Sequence, residues 1–199
     1  MGVGIIIHLY TINVPKCYVW EPFHVQLGHS LSQLLFHFGS FNVIIIGINY
    51  KTLEVCMEKT SLYAYIRFTG KDDVDDFPVE EVTKILDVQP TTIKRIGERI
   101  NDVHTRSFTS WKYESETLET LDVDDVLLPI LTVFQDKTDL INRVKEELNL
   151  NVQIELVITM INGDTPGLVI SPEFSKFASA INAFIDIDMY VYPFDEPEE

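Results

Sequence analysis

Cysteine is nearly absent, and its placement limits the chemistry open to the chain. The two cysteines, Cys17 and Cys56, both precede Met57, so the sequence after them has no thiol for a disulfide, a zinc ligand or a nucleophile. Histidine is equally sparse there, with His104 alone, so several imidazole ligands cannot converge in that part. No glycine-rich phosphate loop, Ser-His-Asp arrangement or metalloprotease motif occurs, and no cofactor is expected. Basic residues are outnumbered, with 15 Lys and Arg against 31 Asp and Glu in 199 residues, a formal net charge of −16. Phosphate backbones repel such a chain, because affinity for nucleic acid comes largely from Lys and Arg releasing counterions. Nucleic acid and anionic membrane are therefore poor partners, and a basic protein is the partner that such a field steers towards.

Charge is missing altogether from Pro22 to Tyr50, and residues 1–56 hold only Lys16, Glu21, Lys51 and Glu54, which cancel. All of the net charge therefore sits after Met57. Leu31 to Tyr50 has the length of a membrane helix, but Ser32, Gln33, His37, Ser40, Asn42 and Asn49 interrupt it, and the order of a secretory signal is absent. Residues 1–56 are read as an N-terminal extension: a start-site artefact, disordered or extra-strand chain, or a membrane segment, in that order of preference. Their histidines, His8, His24, His29 and His37, are spaced too irregularly to act as ligands on one face of one element.

The remainder has the composition of an ordinary globular domain. Leu62, Ala64, Ile66 and Phe68 alternate with Tyr63, Tyr65, Arg67 and Thr69, and Val152 to Met160 alternates likewise, so two half-buried strands are expected. Helical spacing follows Pro78 and Asp122, the second helix carrying Pro129 within it, and a further helix begins at Asp136 or Thr138. Residues 91–106 read as an irregular crossing, and Ser107 to Glu114 as a strand of poor period. Asn162-Gly163 predicts a turn with a short return strand over Leu168 to Ile170. Ser171-Pro172-Glu173 predicts a capped helix start, and residues 184–192 a last strand. With no repeat or linker to divide them, residues 57–199 are expected to be one α+β domain, a mixed or antiparallel sheet with helices packed on one face.

Candidate sites are few. Asp72, Asp73, Asp75 and Asp76 lack the spacing of a calcium loop and read as a solvated loop leading into a helix. Asp186 and Asp188 share one face of the last strand, where paired carboxylates can share a metal or do acid and base work, but with no second strand supplying partners they read as the polar face of an antiparallel strand, and no metal site is expected. Lys94, Arg95, Arg99, His104 and Arg106 form a cationic island beside Gly97, fit for an anion or for pairing with nearby acids. Trp111 with Tyr113, and Tyr190 with Tyr192, offer aromatic contacts, although aromatics on half-buried strands are more often core.

From Leu62 to Tyr190 the chain resembles a bacterial family, the domain of unknown function 4279 (DUF4279). The marks are the opening strand, LDVQPT at 86–91, KRIG at 94–97, Trp111 and the polar residues after it, LVISPEF at 168–174 and DIDMY at 186–190. The resemblance implies a small α+β bacterial protein and transfers no catalytic residues. Taken together, the expectation is a cytoplasmic, non-enzymatic domain that binds a basic protein, as an inhibitor or immunity-type protein. The alternative is a small-molecule or anion-binding module, or an enzyme of unknown type, using Lys94, Arg95, Arg99, Arg106 and Trp111.

Overall fold

The structure, a computed structural model, describes residues 5–11, 33–38, 41–46, 59–71 and 76–192. Asp72, Asp73, Asp75 and the acidic tail lie outside the described residues, as do most of residues 1–56. In chain order the elements are β1 (Ile5–Thr11), β2 (Gln33–Phe38), β3 (Phe41–Ile46), β4 (Ser61–Gly70), α1 (Val79–Leu86), β5 (Thr92–Lys94) and β6 (Ser110–Glu114). They continue with α2 (Asp124–Phe134), α3 (Thr138–Leu148), β7 (Leu150–Met160), α4 (Pro172–Ala180) and β8 (Phe184–Val191).

Two units are present, one of residues 1–14 and 59–199, the other of residues 15–58. In the second, β2 and β3 pair antiparallel from Phe38↔Phe41 to Gln33↔Ile46. The stretch long enough for a membrane helix therefore contains two strands, and among the described residues no helix is long and apolar enough to cross a membrane. In the first, six strands form a mixed sheet in the order β1-β8-β7-β4-β6-β5. β7–β8 and β1–β8 are parallel; β4–β7, β4–β6 and β5–β6 are antiparallel. The boundary expected at Met57 leaves out β1, which the sheet takes from the upstream segment.

Alternation decides the layers. Leu62, Ala64, Ile66 and Phe68 of β4, Val152, Ile154, Leu156 and Ile158 of β7, and Ile185 and Ile187 of β8 are all buried in one cluster. The same cluster takes Val82 and Leu86 of α1, Ile130 and Phe134 of α2, Ile141 and Val144 of α3, and Phe174 and Phe177 of α4. The helices thus cover one face of the sheet, as expected of an α+β domain.

Local chemistry sets the helix ends. Ser171 Oγ accepts from Phe174 N at 3.3 Å with Pro172 in the first helical position, the start that the sequence predicts for α4. α1 and α3 stop where Asp87 (φ 51°) and Asn149 (φ 52°) turn left-handed, a conformation that short polar side chains tolerate better than most. α2 runs through Pro129, which is exposed, and Asp122 Oδ1 accepts from Asp124 N at 3.0 Å at its start.

Two expectations need correction. Within 91–106, Thr92–Lys94 is a strand, held by β6. Leu168 to Ile170 is not: Gly167 makes a single bridge to Asp122 and Val169 is exposed. A hairpin return would need the place beside β7, and β8 occupies it. Parallel pairing requires the chain to leave the sheet and cross over through α4 first.

Candidate functional site

The face of the sheet turned away from the helices carries the other half of each alternation. Strand register places Glu155 of β7 between Tyr65 of β4 and Asp186 of β8, with Asp188 opposite both Val157 and His8 of β1. Tyr10 and Tyr190 are paired in the same way and stack at 5.0 Å between ring centroids, 15° from parallel. Tyr63 and Tyr65 stack at 6.3 Å.

Although no helix among the described residues covers this face, its centre is buried. Glu155 is 6% exposed and Tyr65 7%, as buried as parts of the core. Burial, the largest cause, raises the Glu155 carboxyl above the usual range; Tyr65 and Arg67 oppose the shift and Asp188 adds to it. The Tyr65 hydroxyl is raised as well, by burial first and then by its hydrogen bond to Glu155. Arg67 Nη2 lies 3.4 Å from Glu155 Oε2 and donates to Gln153 Oε1 at 2.5 Å. Gln153 Nε2 in turn donates to Asp186 Oδ2 at 2.7 Å. The guanidinium of Arg67 and the ammonium of Lys112 sit over the Tyr65 ring, 5.7 and 4.7 Å from its centroid.

The face is divided by charge. Its β1, β8 and β7 side presents His8, Asp186, Asp188 and Glu155. On the β4, β6 and β5 side, Lys94 is lowered by burial first, then by Arg106, Lys112 and Arg67. Tyr10 and Tyr190 lie on the acidic side and Tyr63 and Tyr65 on β4; burial first, then Glu114 and Glu155 for Tyr63 and Asp188 for Tyr190, raises the Tyr63 and Tyr190 hydroxyls, so both stay protonated phenols.

The residues singled out from sequence fare unequally. Trp111 is a correction: it is 0% exposed, donates from Nε1 to Thr83 Oγ1 at 2.9 Å, and packs edge-on to Phe68 and Phe134. A ligand or partner cannot reach it without opening the core. Tyr113 packs edge-on to Phe134 on the same side.

Most of the cationic island is spent on its own acids. Arg95 pairs with Glu80, Arg99 with Asp102 at 3.0 Å, and Arg106 with Glu98 at 2.9 Å. His104 Nδ1 lies 3.2 Å from Asn101 Oδ1. The loop also closes on itself, Gly97 N donating to Arg106 O and Arg106 N to Glu98 O, both at 2.9 Å. Of the island's Lys and Arg residues, Lys94 alone makes no ion pair among the described residues.

Asp186 and Asp188 do gain the partners that the pair lacked in sequence, from two further strands. Nothing local in the sequence points to Glu155 or His8. Strand order brings them there, and β1 comes from a segment without caps or clear periodicity.

No curated protein and no solved structure matches the chain. A family model, described as a domain of unknown function (DUF4279), matches residues 59–192, which takes in β4 to β8 and all of the open face except β1. The chain belongs to the DUF4279 family.

Proposed function

We propose that this chain is a non-enzymatic protein-binding module that takes up a basic partner on the open face of its sheet. The observation that carries the reading is the β1, β8 and β7 side of that face: no helix among the described residues covers it, and stacked tyrosines lie beside the carboxylates of Glu155, Asp186 and Asp188. Aromatic rings supply contact area at little entropic cost, and carboxylates next to them suit Lys and Arg side chains. A net charge of −16 steers such a partner and disfavours nucleic acid. An inhibitor or immunity-type role fits this size and charge. The cytoplasm as compartment and a bacterial origin belong to the same proposal and rest on the sequence reading.

A Lys- and Arg-rich peptide serves as the probe, titrated into the full chain at low and physiological salt with chelator present. Binding should weaken as salt rises, and the double variant Asp186→Asn/Asp188→Asn should weaken it at both salts. Affinity unchanged by that variant would refute the use of this face.

One observation favours a second reading, in which the other side of the face holds an anion: Lys94 makes no ion pair among the described residues and is crowded by Arg106, Lys112 and Arg67. Inorganic phosphate tests it. Binding that Lys94→Gln abolishes would support it, and no binding would remove it.

A further inference from the structure

We infer that His8, Asp186 and Asp188 form a site for a divalent transition-metal ion at the β1–β8 edge of the open face, backed by Glu155. One donor atom from each of the three lies within 4.8 Å of those of the other two. His8 Nε2 is 3.0 Å from Asp186 Oδ1. An ion with bonds of about 2.0–2.2 Å to nitrogen and oxygen holds adjacent donors about 3 Å apart, so this separation suits two ligands of one ion.

Hydrogen bonding does not account for the arrangement. Asp186 Oδ2 is held by Gln153, whereas Oδ1 is buried and accepts no hydrogen bond among the described residues, in spite of the nearby ring nitrogen. It is an acceptor fixed in place by its sister atom and facing the imidazole, an ion-pair partner only when that ring carries its second proton. Gln153 thereby orients the carboxylate from outside, as partners of metal ligands do.

Charge points the same way. Glu155 is paired by register with Asp186, and its carboxylate interacts with that of Asp188. Three carboxylates are gathered where, among the described residues, Arg67 is the one cationic side chain within ion-pair distance of them, apart from the His8 ring. A divalent ion would supply the missing charge.

The donor set selects the ion. Calcium takes six to eight oxygens and has no use for the imidazole, while one nitrogen with carboxylates suits zinc or manganese. His8 lies outside the family-matched residues 59–192, so the site is completed by the upstream strand.

The test is calorimetric titration of zinc into the full chain after chelator treatment, with magnesium as the contrast. No partner is present, so the outcome is independent of the proposed function. Zinc should bind, magnesium at the same concentration should not, and His8→Ala and Asp188→Asn should each weaken the zinc affinity about 10-fold or more, as loss of a metal contact does. Asp102→Asn, in the distant loop, should leave it unchanged. His8 is 44% exposed on an edge strand, so its replacement decides the matter even if Asp188→Asn melts early. No zinc binding, or wild-type affinity retained in His8→Ala, would overturn the inference.

Discussion

The two faces of the six-stranded sheet are built from the same strands and obey different rules. On the covered face, Ile66, Phe68, Ile154 and Leu156 are held by apolar area removed from water, a non-directional force that asks only for the right period and volume. On the open face, one residue away along each strand, Tyr65, Arg67, Gln153, Glu155 and Asp186 are held by hydrogen bonds and ion pairs with one another. The covered face explains why the chain folds. The open face keeps a carboxylate buried against its own preference for water, which folding alone does not require, and such groups gather at functional sites.

Replacing Trp111 should separate the faces most sharply. Trp111→Ala empties a fully buried site and removes the hydrogen bond that Thr83 Oγ1 accepts, so a loss of about 3–5 kcal/mol in denaturant unfolding is expected. Tyr190→Ala, on the open face, should cost no more than about 1 kcal/mol and instead weaken peptide binding. Equal losses from the two would erase the distinction.

Glu155→Gln tests the open face from the other side. A carboxyl raised by burial contributes stability that is fully present below its unfolded pKa and is lost as pH rises through its folded one. At neutral pH the wild type therefore bears the cost of ionising Glu155 and the Gln variant does not. The variant should melt higher than wild type at pH 7, and the gap should close as pH falls towards 4. A variant that melts lower at pH 7 would mean that the Arg67 pair outweighs burial.

Smaller effects lie away from both faces. Ser171→Ala removes the cap of α4 and should cost about 1 kcal/mol in thermal or denaturant unfolding. Asp102→Asn breaks an exposed pair with Arg99 and should change stability by less than about 0.5 kcal/mol in the same measurement.

What the sequence makes legible follows the same division. β4 and β7 are readable because their alternation is long, and α4 because Ser171-Pro172 is a local signal. β5 spans only Thr92–Lys94 and exists because β6 pairs with it, so no period announces it. Trp111 sits on a five-residue strand, too short for its parity to be read, and an aromatic there looks like a contact as readily as core. The expected return strand at Leu168 to Ile170 fails for a topological reason, since a parallel neighbour takes its place beside β7. For the site, Asp186 and Asp188 are visible as a pair within one strand. Glu155, 31 positions before Asp186, and His8, from β1, join them only through strand order, which a single sequence does not display.

The central claim is that the open face is the binding surface. Amide chemical-shift mapping of the isotope-labelled chain, titrated with a Lys- and Arg-rich peptide in the presence of chelator, tests it residue by residue. Shifts concentrated at Tyr63, Tyr65, Glu155, Asp186, Asp188 and Tyr190 are predicted. Shifts spread evenly over the acidic surface, or centred on the helices α1 and α3 of the covered face, would contradict it.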